Sequence, residues 1–239
     1  MDLARLDLKR VRVLLESALQ AFGEGGSSSQ NEAGPSAAAS LSKADSLSKA
    51  GSLSKAESLA PFGAAGQGMS REPVPAAVLI AVVGMPGNPA IVLTRRTANL
   101  ENHAGEVSLP GGRMEPGDAS PKDAALRETF EEIGLAPEKV EILGSLPPYD
   151  TVSGFRVVPY VGWVEPPVSF SADPREVEEV FMLPLCVLLD REWWRREYVA
   201  IGDVSREFLI LDYEGRRIWG ATARILISLA EAVAACGDC

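Results

Sequence analysis

Leu3, Leu6, Val11, Leu14, Leu15, Ala18 and Phe22 recur at helical spacing, which predicts an amphipathic helix over residues 3–21. Leu8 and Leu19 sit at the edge of that face and widen it, and Gly23, Gly25 and Gly26 end the helix. The pattern then collapses. Residues 23–72 are dominated by Ser, Ala, Gly and Pro, with no Val, Ile, Trp or Tyr. A six-residue repeat runs through them, at 40–45, 46–51 and 52–57. Six residues turn a helix through about 600°, so Leu41, Leu47, Leu53 and Leu59 wander around the axis instead of lining one side. With so little apolar mass, 23–72 is expected to be a disordered insert behind an N-terminal helix at 1–22; a docking segment is the other reading.

From Pro73 onward the period shortens to that of strands. Residues 76–83 and 90–94 read as two strands joined by a Gly- and Pro-rich turn at 84–89. Further strands are expected at 140–146, 157–164, 179–183, 207–212 and 216–219. Residues 221–235 close the chain as a helix, with Ile225, Leu226, Leu229 and Val233 on its apolar side. Strands and helices alternate irregularly, which predicts an α/β sandwich on a mixed β-sheet in a domain spanning 73–235.

Composition narrows the function. The chain has 239 residues, 46% of them hydrophobic and 23% charged, enough for one sizeable core. Three cysteines and one histidine leave too few ligands for a disulfide framework or a zinc finger. The formal charge of −10 lies wholly in residues 71–239, which carry 26 acidic and 16 basic residues. That disfavours nucleic acid and anionic membrane as partners. An anionic small molecule remains possible if divalent cations sit between it and the protein. No apolar run reaches the length of a membrane span and no targeting signal is apparent, so the expected location is cytoplasmic.

The chemistry is concentrated between Leu109 and Leu135. Ser120 is a suitable N-cap, Pro121 suits the first helical position, Asp123 can partly serve as the acidic member of a capping box, and Gly134 is the expected left-handed stop. On the helix so delimited, Glu128 lies three residues before Glu131 and four before Glu132. Such spacings bring Cβ atoms within about 5–6 Å on one side. Like charges at that distance repel, and a solvated acidic face is the ordinary explanation of such a cluster. A hard cation such as Mg²⁺ or Mn²⁺ among the oxygens is the alternative. The preceding Pro110-Gly111-Gly112 favours it, because those glycines let the backbone approach a ligand closely. Arg127, four residues before Glu131, is placed to hold one carboxylate in position through a bidentate pair.

This segment resembles the Nudix box. Gly112 matches its first glycine, and Arg127, Glu128, Glu131, Glu132, Gly134 and Leu135 match its second half. Asp118 takes the first acidic position, with eight residues rather than seven before Arg127, and Thr129 replaces an aliphatic residue. Upstream, Thr94, Arg96, Leu100, His103, Gly105, Pro110, Gly111 and Gly112 are similar to the signature of the coenzyme A diphosphatase branch of that superfamily. Glu101 stands where that signature has Arg, and Leu109 where it has Phe.

The resemblance implies a Nudix-type α/β/α sandwich. It also implies metal-dependent hydrolysis of the diphosphate linkage of coenzyme A or its derivatives. Glu128, Glu131 and Glu132 would be ligands to Mg²⁺ or Mn²⁺, Arg127 and Glu131 catalytic, and Arg96, Gly111 and Gly112 substrate-binding. Another nucleoside diphosphate derivative, such as ADP-ribose or NADH, stays open as substrate, and so does a catalytically silent module that senses a nucleotide or binds a partner. His103 is expected to pack or hydrogen-bond its loop, and Trp193 and Trp194 to pack the C-terminal half. Cys236 and Cys239, at the end of the chain, have no further ligands nearby in sequence.

Overall fold

A computed structural model of the chain describes residues 8–23, 72–98, 103–201 and 204–237. The six-residue repeats, Leu100, Glu101 and Cys239 lie outside the described residues. The first helix, α1, covers Leu8–Gly23. Strands β1 (Val74–Val83), β2 (Ala90–Arg96), β3 (Val107–Ser108) and β4 (Gly111–Arg113) precede helix α2 (Pro121–Ile133). Then follow β5 (Val140–Ser145), β6 (Tyr149–Asp150), β7 (Phe155–Val164), β8 (Val177–Pro184) and the short helix α3 (Leu185–Leu189). A separate antiparallel sheet of β9 (Trp194–Ile201), β10 (Val204–Tyr213) and β11 (Arg216–Ile218) leads into α4 (Gly220–Gly237).

Strand β1 organises the molecule. It runs parallel to β7 over ten residue pairs, from Val74 with Phe155 to Val83 with Val164. It is antiparallel to β2 and β4, so the sheet is mixed, with the path β3-β2-β1-β7-β5. Alternate side chains of a strand face opposite sides. Ala77, Leu79, Ala81 and Val83 therefore join one core with Ala124, Ala125 and Ile133 of α2. Ala76, Ile80 and Val82 join the other, with Val11 and Leu15 of α1 and Leu226 and Leu229 of α4. A strand buried on both faces needs a nearly continuous apolar run, which is what residues 76–83 supply. The result is an α/β/α sandwich with α2 on one face and α1 and α4 on the other.

Most expected elements are present with ends within three residues of expectation, and residues 3–7 of the expected first helix lie outside the described residues. The buried face of α1 consists of Val11, Leu15, Ala18 and Leu19, whereas Phe22 is 40% exposed. Leu19, expected at the edge, packs against β5, where the absence of a Cβ on Gly144 leaves room for it. Strand β9 was not expected, because Arg195, Arg196 and Glu197 interrupt the apolar alternation. Trp194 at its start packs against the main core and donates its indole N–H to the Leu188 carbonyl at 2.9 Å. Trp193 instead meets Tyr213 edge to face. No helix among the described residues is long and apolar enough to cross a membrane.

Leu15 is 1% exposed between α4 and the sheet. Leu15→Ala is expected to lower unfolding stability by about 2–5 kcal/mol, the range for truncating a buried leucine. Urea titration reads this as a lower midpoint at unchanged slope.

Candidate active site

Helix α2 begins and ends as its sequence requires. Ser120 is extended at φ −154°, its hydroxyl oxygen accepts the Asp123 N–H at 3.3 Å, and Pro121 takes the first helical position. The Asp123 carboxylate accepts the Ser120 hydroxyl at 2.7 Å. Gly134, at φ 69°, closes the helix with its N–H on the Phe130 carbonyl. Thr129 is fully buried, and its hydroxyl donates to the Ala125 carbonyl one turn back at 2.6 Å. That bond lets a hydroxyl occupy a position where an aliphatic side chain was expected.

Arg127 is the hub, and its guanidinium spends all five N–H donors. Nε and Nη2 bond the two oxygens of Asp118 at 3.0 Å each. Nη1 reaches Glu128 at 3.0 Å and Glu131 at 3.1 Å, and the remaining Nη2 hydrogen goes to the Arg113 carbonyl at 3.1 Å. The carboxylate held in a bidentate pair is thus that of Asp118, while Glu131 accepts a single bond. With the Nε edge of the planar fork against Asp118, its three remaining hydrogens go singly to Glu128, Glu131 and the Arg113 carbonyl. The Arg127 pair and the Glu115 backbone N–H hold the Asp118 carboxyl below the usual carboxylate range.

The three glutamates differ in environment. Glu131 is 57% exposed. Glu128 is largely enclosed, and desolvation pushes its carboxyl up, partly offset by Arg127. Glu132 is only 4% exposed. Burial pushes it up to about 8, against the opposing effects of the Gly111 N–H at 3.2 Å and of Arg96, whose Nη1 lies 3.8 Å away.

Gly111 and Gly112, assigned from sequence to the substrate, serve the carboxylates first. The Gly111 N–H holds Glu132, and its φ of 146° is strained for any residue with a side chain. A Cβ on Gly112 would lie 2.5 Å from the Glu128 carboxyl carbon. Arg96 stands at the end of β2, its backbone clamped by Glu106 and Gly105. Its Nε is enclosed with no acceptor among the described residues. His103 bonds Glu106 at 2.9 Å in that same loop, the hydrogen-bonding role expected of it.

Three residues of the site were not found from sequence. The segment 165–176, between β7 and β8, brings Asp173, Arg175 and Glu176 to a cleft of about 200 Å³ that Glu128, Glu131 and Glu132 also line. The segment is fastened to the end of α2, with the Ser171 N–H on the Ile133 carbonyl at 2.8 Å and the Asp173 N–H on the Glu132 carbonyl at 2.9 Å. Local sequence carries no signal for this, because the contacts are tertiary.

Among the described residues no three such side chains already converge as a closed metal-ligand set. Arg127 draws Glu128 and Glu131 toward itself instead. The donor chemistry nevertheless suits a hard cation: every candidate ligand is a carboxylate oxygen, and one of them is buried against its own charge.

A mixed-sheet sandwich that presents a carboxylate-bearing helix behind a glycine turn defines a class of phosphate-handling hydrolases. The profile of the NUDIX domain matches residues 73–200. The chain is 41% identical over 160 residues to the Nudix hydrolase NudL of Yersinia enterocolitica, covering 66% of this chain and 80% of that protein. It is 44% identical over 156 residues to the NudL of Citrobacter koseri, covering 65% and 80%. A MutT/nudix family protein from Enterococcus faecalis aligns in structure with a TM-score of 0.45 and 18% identity, over 72% of this chain and 66% of that one. The chain belongs to the Nudix hydrolase family, enzymes that act on phosphorus-containing anhydrides. Divalent cations such as Mg²⁺ or Mn²⁺ are general in that family.

The burial of Glu132 has a consequence for stability. The folded protein holds its proton up to about 8, whereas the ordinary value is 4.5. Unfolding releases that proton between the two values, so stability of the metal-free protein falls as pH rises through this window, by a few kcal/mol. Denaturant titrations in EDTA at pH 5 and pH 8 should show the loss in the wild type. Glu132→Gln should remove most of it, and an unchanged slope in that variant would place the effect elsewhere.

Proposed function

We propose that this chain hydrolyses the diphosphate linkage of coenzyme A or its derivatives, releasing 3',5'-ADP and 4'-phosphopantetheine or its acyl form. One observation carries the reading: Arg96 of the upstream signature and Glu132 of the Nudix box face each other across 3.8 Å. Residues from both motifs therefore lie side by side. Glu128, Glu131 and Glu132 would hold Mg²⁺ or Mn²⁺. The bound cation supplies neutralisation of the diphosphate oxygens and a water of lowered pKa. Arg127 orients Glu128 and Glu131 while itself locked to Asp118. Arg96, with one donor unspent, is the phosphate contact at the end of β2. Glu131, the exposed glutamate, would take a proton from water.

A second reading keeps the chemistry and moves the substrate to another nucleoside diphosphate derivative, such as ADP-ribose or NADH. It is favoured by Glu101, an acidic residue where the coenzyme A signature carries a basic one.

Purified protein incubated with coenzyme A, ADP-ribose and NADH, each with Mg²⁺, Mn²⁺ or EDTA, is expected to release 3',5'-ADP from coenzyme A in preference to cleaving the others. Preference for another compound would move the substrate, and no turnover in a folded sample would leave a silent binding module. Glu132→Gln is expected to abolish metal-dependent turnover without unfolding the protein. Glu131→Gln should lower kcat by about 10²–10⁴-fold if that carboxylate is the base.

A further inference from the structure

We propose that Arg175 is a substrate-binding residue of this site, a cation that leaves Asp173 to bind the diphosphate oxygens of the substrate. The inference rests on the diphosphate reading above and adds a residue that neither motif contains. Of the six residues lining the cleft, five are carboxylates, and Arg175 is the one cation among them. Of the two other arginines beside the site, one is committed and the other is the phosphate contact already proposed. Arg127 has all five donors engaged, and Arg96 faces Glu132. A diphosphate entering among five carboxylates needs positive charge beyond what these supply, and a guanidinium fork matches phosphate oxygens in shape.

The placement of Arg175 suits that task. Its backbone is fixed from two sides, by the bond of the Asp173 N–H to the Glu132 carbonyl and by Thr97, next to Arg96. Thr97 donates its N–H to the Glu176 carbonyl at 2.9 Å and its hydroxyl to the Arg175 carbonyl at 3.2 Å. The side chain, by contrast, is 87% exposed and, among the described residues, held only by Asp173, two residues away on the same segment. Exposed pairs of this kind are weak, so a charge-assisted bond to phosphate can replace this one at little cost. Nη1 has no acceptor among the described residues and is available without breaking anything.

The test uses the full chain as wild type, Arg175→Ala and Arg175→Lys. Binding of ADP with Mg²⁺ is measured by calorimetry, and KM and kcat are measured with coenzyme A and dephospho-coenzyme A. Arg175→Ala is expected to weaken ADP binding and raise KM for both substrates by about tenfold or more, the size of a lost charge-assisted bond. kcat should stay within about twofold and the Tm unchanged, and Lys should recover part of the loss. Unchanged binding and KM overturn the proposal. So does an effect confined to coenzyme A, which would assign Arg175 to the 3'-phosphate, or a joint fall of kcat and Tm, which would make its role structural. If the wild type turns over neither substrate, ADP binding decides. Loss of affinity in Arg175→Ala then keeps the inference while the coenzyme A reading fails, and no ADP binding by the wild type sinks the inference. Normal turnover with an indifferent Arg175→Ala sinks the inference alone.

Discussion

The site depends on one guanidinium. Arg127 has five hydrogens to give, and Asp118, Glu128, Glu131 and the Arg113 carbonyl take all of them. These bonds join the loop that follows β4 to the middle of α2, so the glycine turn and the carboxylates are held in one geometry. They also offset the mutual repulsion of Glu128 and Glu131, which an isolated helix could not. A lysine would keep the charge but not the fork, and would have to abandon some of these partners.

The scaffold that holds this hub is legible in the chain because β1 is buried on both faces. A nearly unbroken apolar run is the simplest pattern to read, and the parallel partner β7 carries a similar one. Helix α2 is legible for another reason: its caps are side-chain chemistry, and Ser120, Pro121 and Gly134 each do locally what their type dictates. The carboxylate set follows from helical spacing, and the family resemblance ties it to the upstream residues.

What could not be read is what depends on tertiary approach. The partition of Arg127 between Asp118 and the glutamates depends on how the loop at 114–120 folds back, which spacing on the helix alone does not carry. Strand β9 was hidden because its charged residues pair across strands, as Arg195 does with Asp212, and pairing of that kind leaves no apolar period. Asp173, Arg175 and Glu176 join the site only because their segment bonds the last carbonyls of α2. The different environments of the three glutamates likewise belong to the fold, since three identical side chains have identical sequence signals.

The missing side chain of Gly112 and the carboxylate of Glu128 occupy the same space. The two positions are therefore coupled through one shared space. Any larger residue at 112 pushes the carboxylate off Arg127, and a shorter acid at 128 gives up its reach before the space it frees is of use. A substitution at 112 would therefore be felt first in where the Glu128 carboxylate goes, and through it in what Arg127 holds.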